Sequence, residues 1–231
     1  MLTKRMTLTE ATSSQPSDAH NASRERRARE KQALRASILR AAGEVFLERG
    51  YEGLSMRSVA ERIGYTATTI YLYFKDKDDL LFALLDEGYA DLGQRLAQAA
   101  ATERDPLQRL VAIGRTYITF GLDNPLLYQV MFMQRADFLA ARLKQRPATR
   151  INAFDVLQQA VKEALDAGAL KPGDVLTYAL SLWAAVHGLV SLVITLPLTD
   201  ADLVERLIEI SLAATLNSVR AAPEARRGEG G

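Results

Sequence analysis

The residue types that carry most enzymatic chemistry are nearly missing from this chain of 231 residues. It has no cysteine and two histidines, His20 and His187. The lack of cysteine excludes disulfides, thiolate zinc sites, iron–sulfur clusters and cysteine nucleophiles, and two isolated histidines nearly exclude Ser-His-Asp triads and His-rich metal sites. No paired-carboxylate or metal-ligand spacing stands out either. We therefore expect no enzymatic activity, no cofactor and no metal site.

A short segment rich in threonine and tyrosine has the chemistry to bind nucleic acid instead. Threonine and alanine can touch thymine methyl groups, and threonine and tyrosine hydroxyls can hydrogen-bond to phosphate. Ile70 and Phe74 are four residues apart, so we expect them to share the inward face of a helix. The residues left to face DNA are then Thr66, Ala67, Thr69 and Tyr71.

The elements that position this segment are helices. Apolar residues recur at helical spacing nearly throughout, which predicts an all-α chain of about nine helices. One helix from about Leu34 should end at Gly50, and Ser55 should cap a short second helix that ends at Gly64. A third should run from about Thr66 to Phe74. Two short helices around a tight turn are typical of a helix-turn-helix, although any helical bundle can contain such a pair.

The other helix starts follow from capping residues. An Asp or Asn before an apolar run marks an N-cap, and a proline directly after it suits the first helical position. We expect helices to begin at Asp76, Asp105-Pro106, Asn124-Pro125, about Ala148, Asp174 and Thr199 or Asp200.

A longer stretch of sequence carries a resemblance to a known family. It consists of GYEGLSMRSVA at 50–60, IGYT at 63–66, TIYLYFKDK at 69–77 and Leu80-Leu81. These residues resemble the DNA-binding domain of the tetracycline-repressor (TetR) family. The chain departs from the family pattern at Ala67, Thr68 and Leu72, on the helix that would read DNA, so the operator sequence cannot be carried over.

The resemblance implies a role in DNA binding for particular residues. Ser55 would cap the second helix and contact phosphate, and Arg57 would lie close to the duplex. Lys77 would meet phosphate, aided by the dipole of the following helix. Tyr73 could instead pack in the core, and Arg57 could be a solvated surface charge. The full set of DNA-binding candidates is Ser55, Arg57, Thr66, Ala67, Thr68, Thr69, Tyr71, Tyr73 and Lys77.

The net charge of +1 conceals an uneven distribution. Residues 1–80 contain 14 Lys and Arg against 11 Asp and Glu, and residues 24–40 contain seven against two. This basic block is either a solvated tail or an arm that adds phosphate or minor-groove contacts. We expect residues 1–30 and 222–231 to be disordered tails, 31–80 to form the DNA-binding domain and 81–221 to form a ligand-binding and dimerisation domain.

The segment LWAAVHGLVSL resembles the WHG-type C-terminal domain found in part of the TetR family. Trp183 and His187 are neighbours on one helical face, and Gly188 should permit a close approach of helices. His187 is either a ligand contact or a core histidine. No charged residue occurs between Val175 and Thr199, a run long enough to span a bilayer. Its polar residues, Pro197 and acidic flanks favour a buried helix instead.

The resemblance implies a cytoplasmic regulator, nucleoid-associated when bound to DNA. It would be a homodimer formed by helices at about 175–196 and 201–220 that represses at a pseudo-palindromic operator until a small apolar or amphipathic effector releases it. The alternative is a helical adaptor or structural protein that no longer binds DNA. We do not expect it to associate with a membrane.

An aromatic and methionine-rich set suits an adaptable apolar pocket, although it could equally be core. It contains Tyr117, Phe120, Tyr128, Met131, Phe132, Met133 and Phe138. The pocket candidates are Tyr117, Phe120, Tyr128, Met131, Phe132, Trp183 and His187. A second basic cluster is expected to be a solvated face, with binding of an acidic effector as the alternative; it comprises Arg135, Arg142, Lys144, Arg146 and Arg150.

Overall fold

The computed structural model describes residues 16–133, 151–196 and 198–222, and in these ranges it is all-α with nine helices, as predicted. We label the helices α1 Pro16–Gly53, α2 Met56–Ile63, α3 Ala67–Tyr71, α4 Lys77–Thr102, α5 Pro106–Asp123, α6 Pro125–Tyr128, α7 Ala153–Asp166, α8 Val175–Thr195 and α9 Ala201–Val219. A single π-helical turn, Gln129–Met133, continues α6. An isolated antiparallel bridge joins Leu170 to Arg220.

Most of the predicted caps form. Asp76 accepts a hydrogen bond from the backbone N–H of Asp79 at 2.8 Å, and Asp174 accepts one from Thr177 at 2.8 Å. The caps at Asp105 and Asp200 form in the same way. Asn124 is an exception, because its side chain makes no cap bond and its Nδ2 donates back to the Phe120 carbonyl at 2.9 Å. Pro125 alone marks that helix start.

Three predicted boundaries were wrong. The expected disordered tail is helical from Pro16 onward, because this stretch is rich in the good helix formers Ala, Arg, Glu and Lys and contains an Arg26–Glu30 pair one turn apart. Gly50 nevertheless breaks the helix, with φ of 67°. Helix α3 ends at Tyr71 instead of Phe74, and α7 begins at Ala153. The remaining tail residues and positions 148–150 lie outside the described residues.

Helix α4 joins the two halves of the molecule. Its N-terminal part packs against α1, which with α2 and α3 forms the N-terminal unit. Further along, α4 packs against α5 and α7. Helix α5 is central to the second half, with α4, α7, α8 and α9 around it. A displacement of α4 would therefore be felt in both halves.

Helix α8 has a buried face and an exposed face, both apolar. Among the described residues it is the one helix long and apolar enough to cross a membrane by length and composition. Gly188 was expected to bring helices together, but no atom of the chain lies within 4 Å of the position a Cβ would take there. Within one chain that expectation is wrong, because Gly188 lies on the exposed side of the helix.

Candidate DNA-reading surface and ligand cavity

Local hydrogen bonds fix the start and the end of α2. The Ser55 hydroxyl accepts from the Ser58 N–H at 3.0 Å, and the Ser58 hydroxyl accepts from the Ser55 N–H at 3.0 Å. Such a reciprocal box satisfies two of the N–H groups that a helix start leaves free. Gly64 ends α2 in the left-handed region, with φ of 73°, which favours glycine.

Helix α3 is anchored by one buried side chain and presents polar groups around it. Ile70 is fully buried. The Thr66 hydroxyl caps the helix by accepting from the Thr69 N–H at 3.3 Å. Thr68 and Tyr71 are exposed, and 58% of Tyr71 is accessible. This face therefore offers hydroxyl donors and acceptors to solvent.

Not every candidate on this segment is equally free. Ala67 and Thr69 are half-buried, and the Thr69 hydroxyl lies 3.1 Å from that of Thr66. Tyr73 is half-buried and packs against the core, in agreement with its alternative reading. Arg57 is exposed, with its Nε 2.9 Å from the Glu61 carboxylate. The most accessible candidates are thus Ser55, Arg57, Thr66, Thr68 and Tyr71.

Lys77 connects α4 to the end of α1. Its ammonium donates to the Tyr51 carbonyl at 3.0 Å and lies 3.9 Å from the centre of the Tyr51 ring. The Tyr51 hydroxyl donates to the Asp78 carboxylate, which raises the pKa of Tyr51 to about 12. An ammonium has three N–H groups, so Lys77 can both position this corner and bind a phosphate.

Three further residues of this surface were not among the candidates. Tyr65 is half exposed, Lys75 is exposed, and Leu72 exposes 77% of its surface. Helical spacing could have identified Leu72 as exposed, because it lies off the helix face on which Ile70 and Phe74 are buried. A large apolar side chain this exposed beside α3 is suited to contact with thymine methyl groups.

The second half encloses a cavity of about 470 Å³. Helices α4, α5, α7, α8 and α9 and the π-helical turn line it. Four of the candidates line the cavity: Tyr117, Met131, Phe132 and Trp183. No charged side chain lines it among the described residues. Phe138 and the second basic cluster lie outside those residues.

The structure places the other three candidates behind the cavity wall. Phe120 is fully buried, and the Arg95 guanidinium lies 5.8 Å from the centre of its ring. Tyr128 is fully buried as well. His187 stacks on Tyr128, with 5.6 Å between the ring centres. The sequence could not show that these three side chains lie behind the wall, because this depends on how the helices pack.

A polar cluster connects the cavity wall to the residues behind it. Trp183 Nε1 donates to the Tyr117 hydroxyl at 3.0 Å, which is 3.1 Å from the Tyr128 hydroxyl. The Tyr128 hydroxyl is 2.5 Å from His187 Nδ1. Burial raises the pKa of both tyrosines and lowers the pKa of His187. All four side chains are therefore neutral near pH 7, and the cluster can hydrogen-bond but contributes no charge.

Both halves match models of known families. The model described as bacterial regulatory proteins, tetR family, matches residues 38–84. A model described as a tetracyclin repressor-like C-terminal domain matches residues 110–215. The chain belongs to the TetR family. The resemblance stated from the sequence is thereby confirmed.

Similar proteins are transcription regulators. The chain is 33% identical over 98 residues to an HTH-type transcriptional activator, FasR, of Mycolicibacterium smegmatis, a match that covers 42% of this chain and 45% of that protein. It is 26% identical over 137 residues to the fatty acid metabolism regulator protein of Bacillus subtilis, with coverage of 59% and 70%. The chain thus spans less than half the length of the first of these relatives.

A solved TetR-family regulator from Marinobacter aquaeolei has the same fold, with a TM-score of 0.70 at 19% identity over 84% of this chain and all of that one. The family-model matches and the two named regulators support a DNA-binding transcription regulator, and the structural match shows that the fold is shared. They indicate no enzymatic family.

Proposed function

We propose that this regulator binds a pseudo-palindromic operator as a homodimer and is released from it by a small apolar or amphipathic effector. The observation that carries the proposal is the apolar cavity of about 470 Å³, because α4 forms part of its wall and also begins the DNA-reading surface at Lys77. The proposed site residues are the DNA-binding candidates above and the four cavity-lining candidates.

The dimer explains the exposed face of α8 and α9. About half of the surface of each of four leucines on or just after α8 is exposed, and Ile210 of α9 is 66% exposed; the leucines are Leu176, Leu180, Leu192 and Leu196. Soluble proteins rarely expose so much contiguous apolar surface unless a partner covers it. The opposite face of α8 packs against α5 and α9. This packing favours a second subunit rather than lipid on the exposed face, and it therefore also favours a cytoplasmic location.

Two-fold symmetry then determines how DNA is read. Two copies of α3 can enter successive major grooves when they are about 34 Å apart. An effector that binds more tightly to a conformation with another spacing lowers operator affinity by shifting the population.

The π-helical turn offers a physical link between cavity and DNA. Met131 lines the cavity, and a Cβ on Gly88 of α4 would lie 2.7 Å from the Met131 sulfur. On α1, a Cβ on Gly43 would lie 2.7 Å from Leu126. Because α6 and the π-helical turn pack this closely against α1 and α4, an effector that displaces them also displaces those two helices. Irregular π turns often occur at functional positions.

The effector class follows from the lining and the relatives. The wall is mainly apolar, with hydroxyl and indole groups at Tyr117 and Trp183. One relative is named as a regulator of fatty acid metabolism. We infer that an acyl chain is the apolar part of the effector.

DNA binding is tested with duplexes selected from a random pool by the full chain. The double variant Tyr71→Ala, Lys77→Ala should lose at least tenfold in affinity, since a hydrogen bond to a charged phosphate is worth about 1.5–3 kcal/mol. It should remain a folded dimer by circular dichroism and sedimentation. Lys162→Ala, on the distant α7, is the matched control. Failure of the wild type to bind any duplex would favour the adaptor alternative.

Effector binding can be followed by the single tryptophan, Trp183, because it lines the cavity. Saturated fatty acids and their alcohols of increasing length should change its emission and release DNA. Val111→Phe narrows the cavity and should abolish both effects, whereas Val156→Phe, outside the cavity, should not.

The sign of regulation needs a separate experiment. Deleting the gene should raise expression of the target genes if the protein is a repressor, and should lower it if the protein is an activator, as one relative is named.

A further inference from the structure

The N-terminal part of α1 extends beyond the rest of the protein. From His20 to Ala33 every side chain except that of Ser23 is exposed, and buried positions begin only at Ile38. The ion pair within this stretch joins Arg26 to Glu30 of the same helix. Among the described residues no other element covers this basic extension, residues 20–33, so its charges are available to a partner.

The charges on this extension are sorted by face. At about 100° per residue, Arg24, Arg27, Lys31 and Arg35 fall within an arc of about 80° on one side of the helix. Glu25 and Glu30 fall on the other sides, together with Arg26 and Arg29. We call the first set the cationic stripe. It contains no acidic residue, and both acidic residues of the extension lie off its face; Arg35, at its inner end, pairs with Glu87 of α4.

The stripe lies on the side of α1 that faces the N-terminal unit. It continues the face that buries Ile38, Ala42 and Val45 against the N-terminal unit. At the inner end of the stripe, the Arg35 guanidinium pairs with Glu87 and lies 5.2 Å from the ring centre of Phe74. Phe74 is three residues beyond the end of α3. The inner end of the stripe therefore lies where α1 meets α4 and the segment that follows α3.

The chemistry of the stripe fits a phosphate backbone. It is a row of arginine and lysine without apolar anchors, whereas protein-binding helix faces present apolar side chains at such positions. From Arg24 to Arg35 it spans about 16 Å, a length that matches several successive phosphates of one strand. We propose that the cationic stripe binds the DNA backbone flanking each half-site, outside the groove that α3 reads. This inference rests on the proposed operator binding.

The test uses two double variants with the same change of charge. Arg24→Gln with Arg27→Gln removes charge from the stripe, and Arg26→Gln with Arg29→Gln removes it from the opposite side. Glutamine keeps the helix propensity of arginine. Each full-length protein is titrated with a 40-base-pair duplex that contains the selected operator, and with a duplex trimmed to that operator, at several salt concentrations.

On the long duplex the stripe variant should lose about tenfold or more in affinity. The slope of log K against log salt should fall by about 0.9 for each phosphate contact removed. The opposite-face variant should retain the wild-type slope, and trimming the flanks should weaken the wild type but not the stripe variant. Equal losses in both variants, or unchanged slopes in both, would overturn the proposal. If the wild type itself binds no duplex, it is the proposed function that fails.

Discussion

The helix-turn-helix and the cavity are built by interactions of different range. In the helix-turn-helix, Ser55 bonds to Ser58 and Thr66 bonds to Thr69, each three residues away. In the wall of the cavity, the cluster at Tyr117 joins residues that are 66 and 70 positions apart in sequence. The first arrangement depends on neighbours in the chain, and the second depends on how whole helices pack.

The two regions also differ in how completely side chains fill their interiors. Side chains close the interior of the N-terminal unit, where Ile70 and Val59 are fully buried. The second half instead leaves a volume of about 470 Å³ unfilled by its own atoms. An interior that is already filled should be sensitive to any lost volume, whereas a wall around a cavity should tolerate more change.

The largest expected effect compares two phenylalanines. Phe74 is 3% exposed beneath the N-terminal unit, so Phe74→Ala should cost about 3–5 kcal/mol of unfolding free energy. Phe132→Ala should cost less, about 2 kcal/mol, because that ring borders the cavity and is only half-buried. Urea titrations followed by circular dichroism measure both values. Equal costs would contradict the expectation that the wall of the cavity tolerates lost volume better than the filled interior.

Local chemistry explains which parts were predictable. Ser55, Gly64 and Asp76 determine helix ends through their own dihedral angles and side chains, so these boundaries could be read from the sequence. Phe120 and Tyr128 could not be separated from the lining residues, because all are aromatic residues at helical spacing and only packing on α8 distinguishes them. The exposed start of α1 was missed because residues 1–30 were expected to be a disordered tail, although its residues favour a helix.

Substitutions at two glycines distinguish the cost of backbone strain from the cost of a steric clash. A Cβ on Gly121 would lie 2.5 Å from Val190 and 3.0 Å from Tyr128, so Gly121→Ala should cost about 1–3 kcal/mol. Gly64 has open space around it but a φ of 73°, so Gly64→Ala should cost about 1–2 kcal/mol through strain.

Asparagine distinguishes the two causes at these glycines. It tolerates the left-handed region, so Gly64→Asn should restore much of the thermal stability that Gly64→Ala loses. Gly121→Asn should be worse than Gly121→Ala, because it adds volume to a site without space. The reverse order of melting temperatures at either position would contradict the cause assigned to it.

Removal of a tyrosine hydroxyl should have opposite consequences in the two regions. Tyr117→Phe takes the acceptor from Trp183 Nε1 and should cost about 1 kcal/mol of stability, since water in the cavity can replace part of that bond. Tyr71→Phe should leave stability unchanged, because this side chain is 58% exposed, but should weaken operator binding. Paired denaturation and polarisation measurements give both readouts. A destabilised Tyr71→Phe variant would indicate that its hydroxyl is structural.

The smallest expected effect is a pH dependence caused by a histidine of the second half, since residues 38–84 contain no histidine. Burial lowers the pKa of His187 from its ordinary value of 6.5, and its neutral Nδ1 is positioned to accept from the Tyr128 hydroxyl. The unfolded chain therefore binds a proton at a higher pH than the folded chain does. As the pH falls below about 6.5, the unfolding free energy should decrease until the lowered pKa is passed. His187→Gln should remove this slope, and an identical slope in the variant would show that His187 does not cause it.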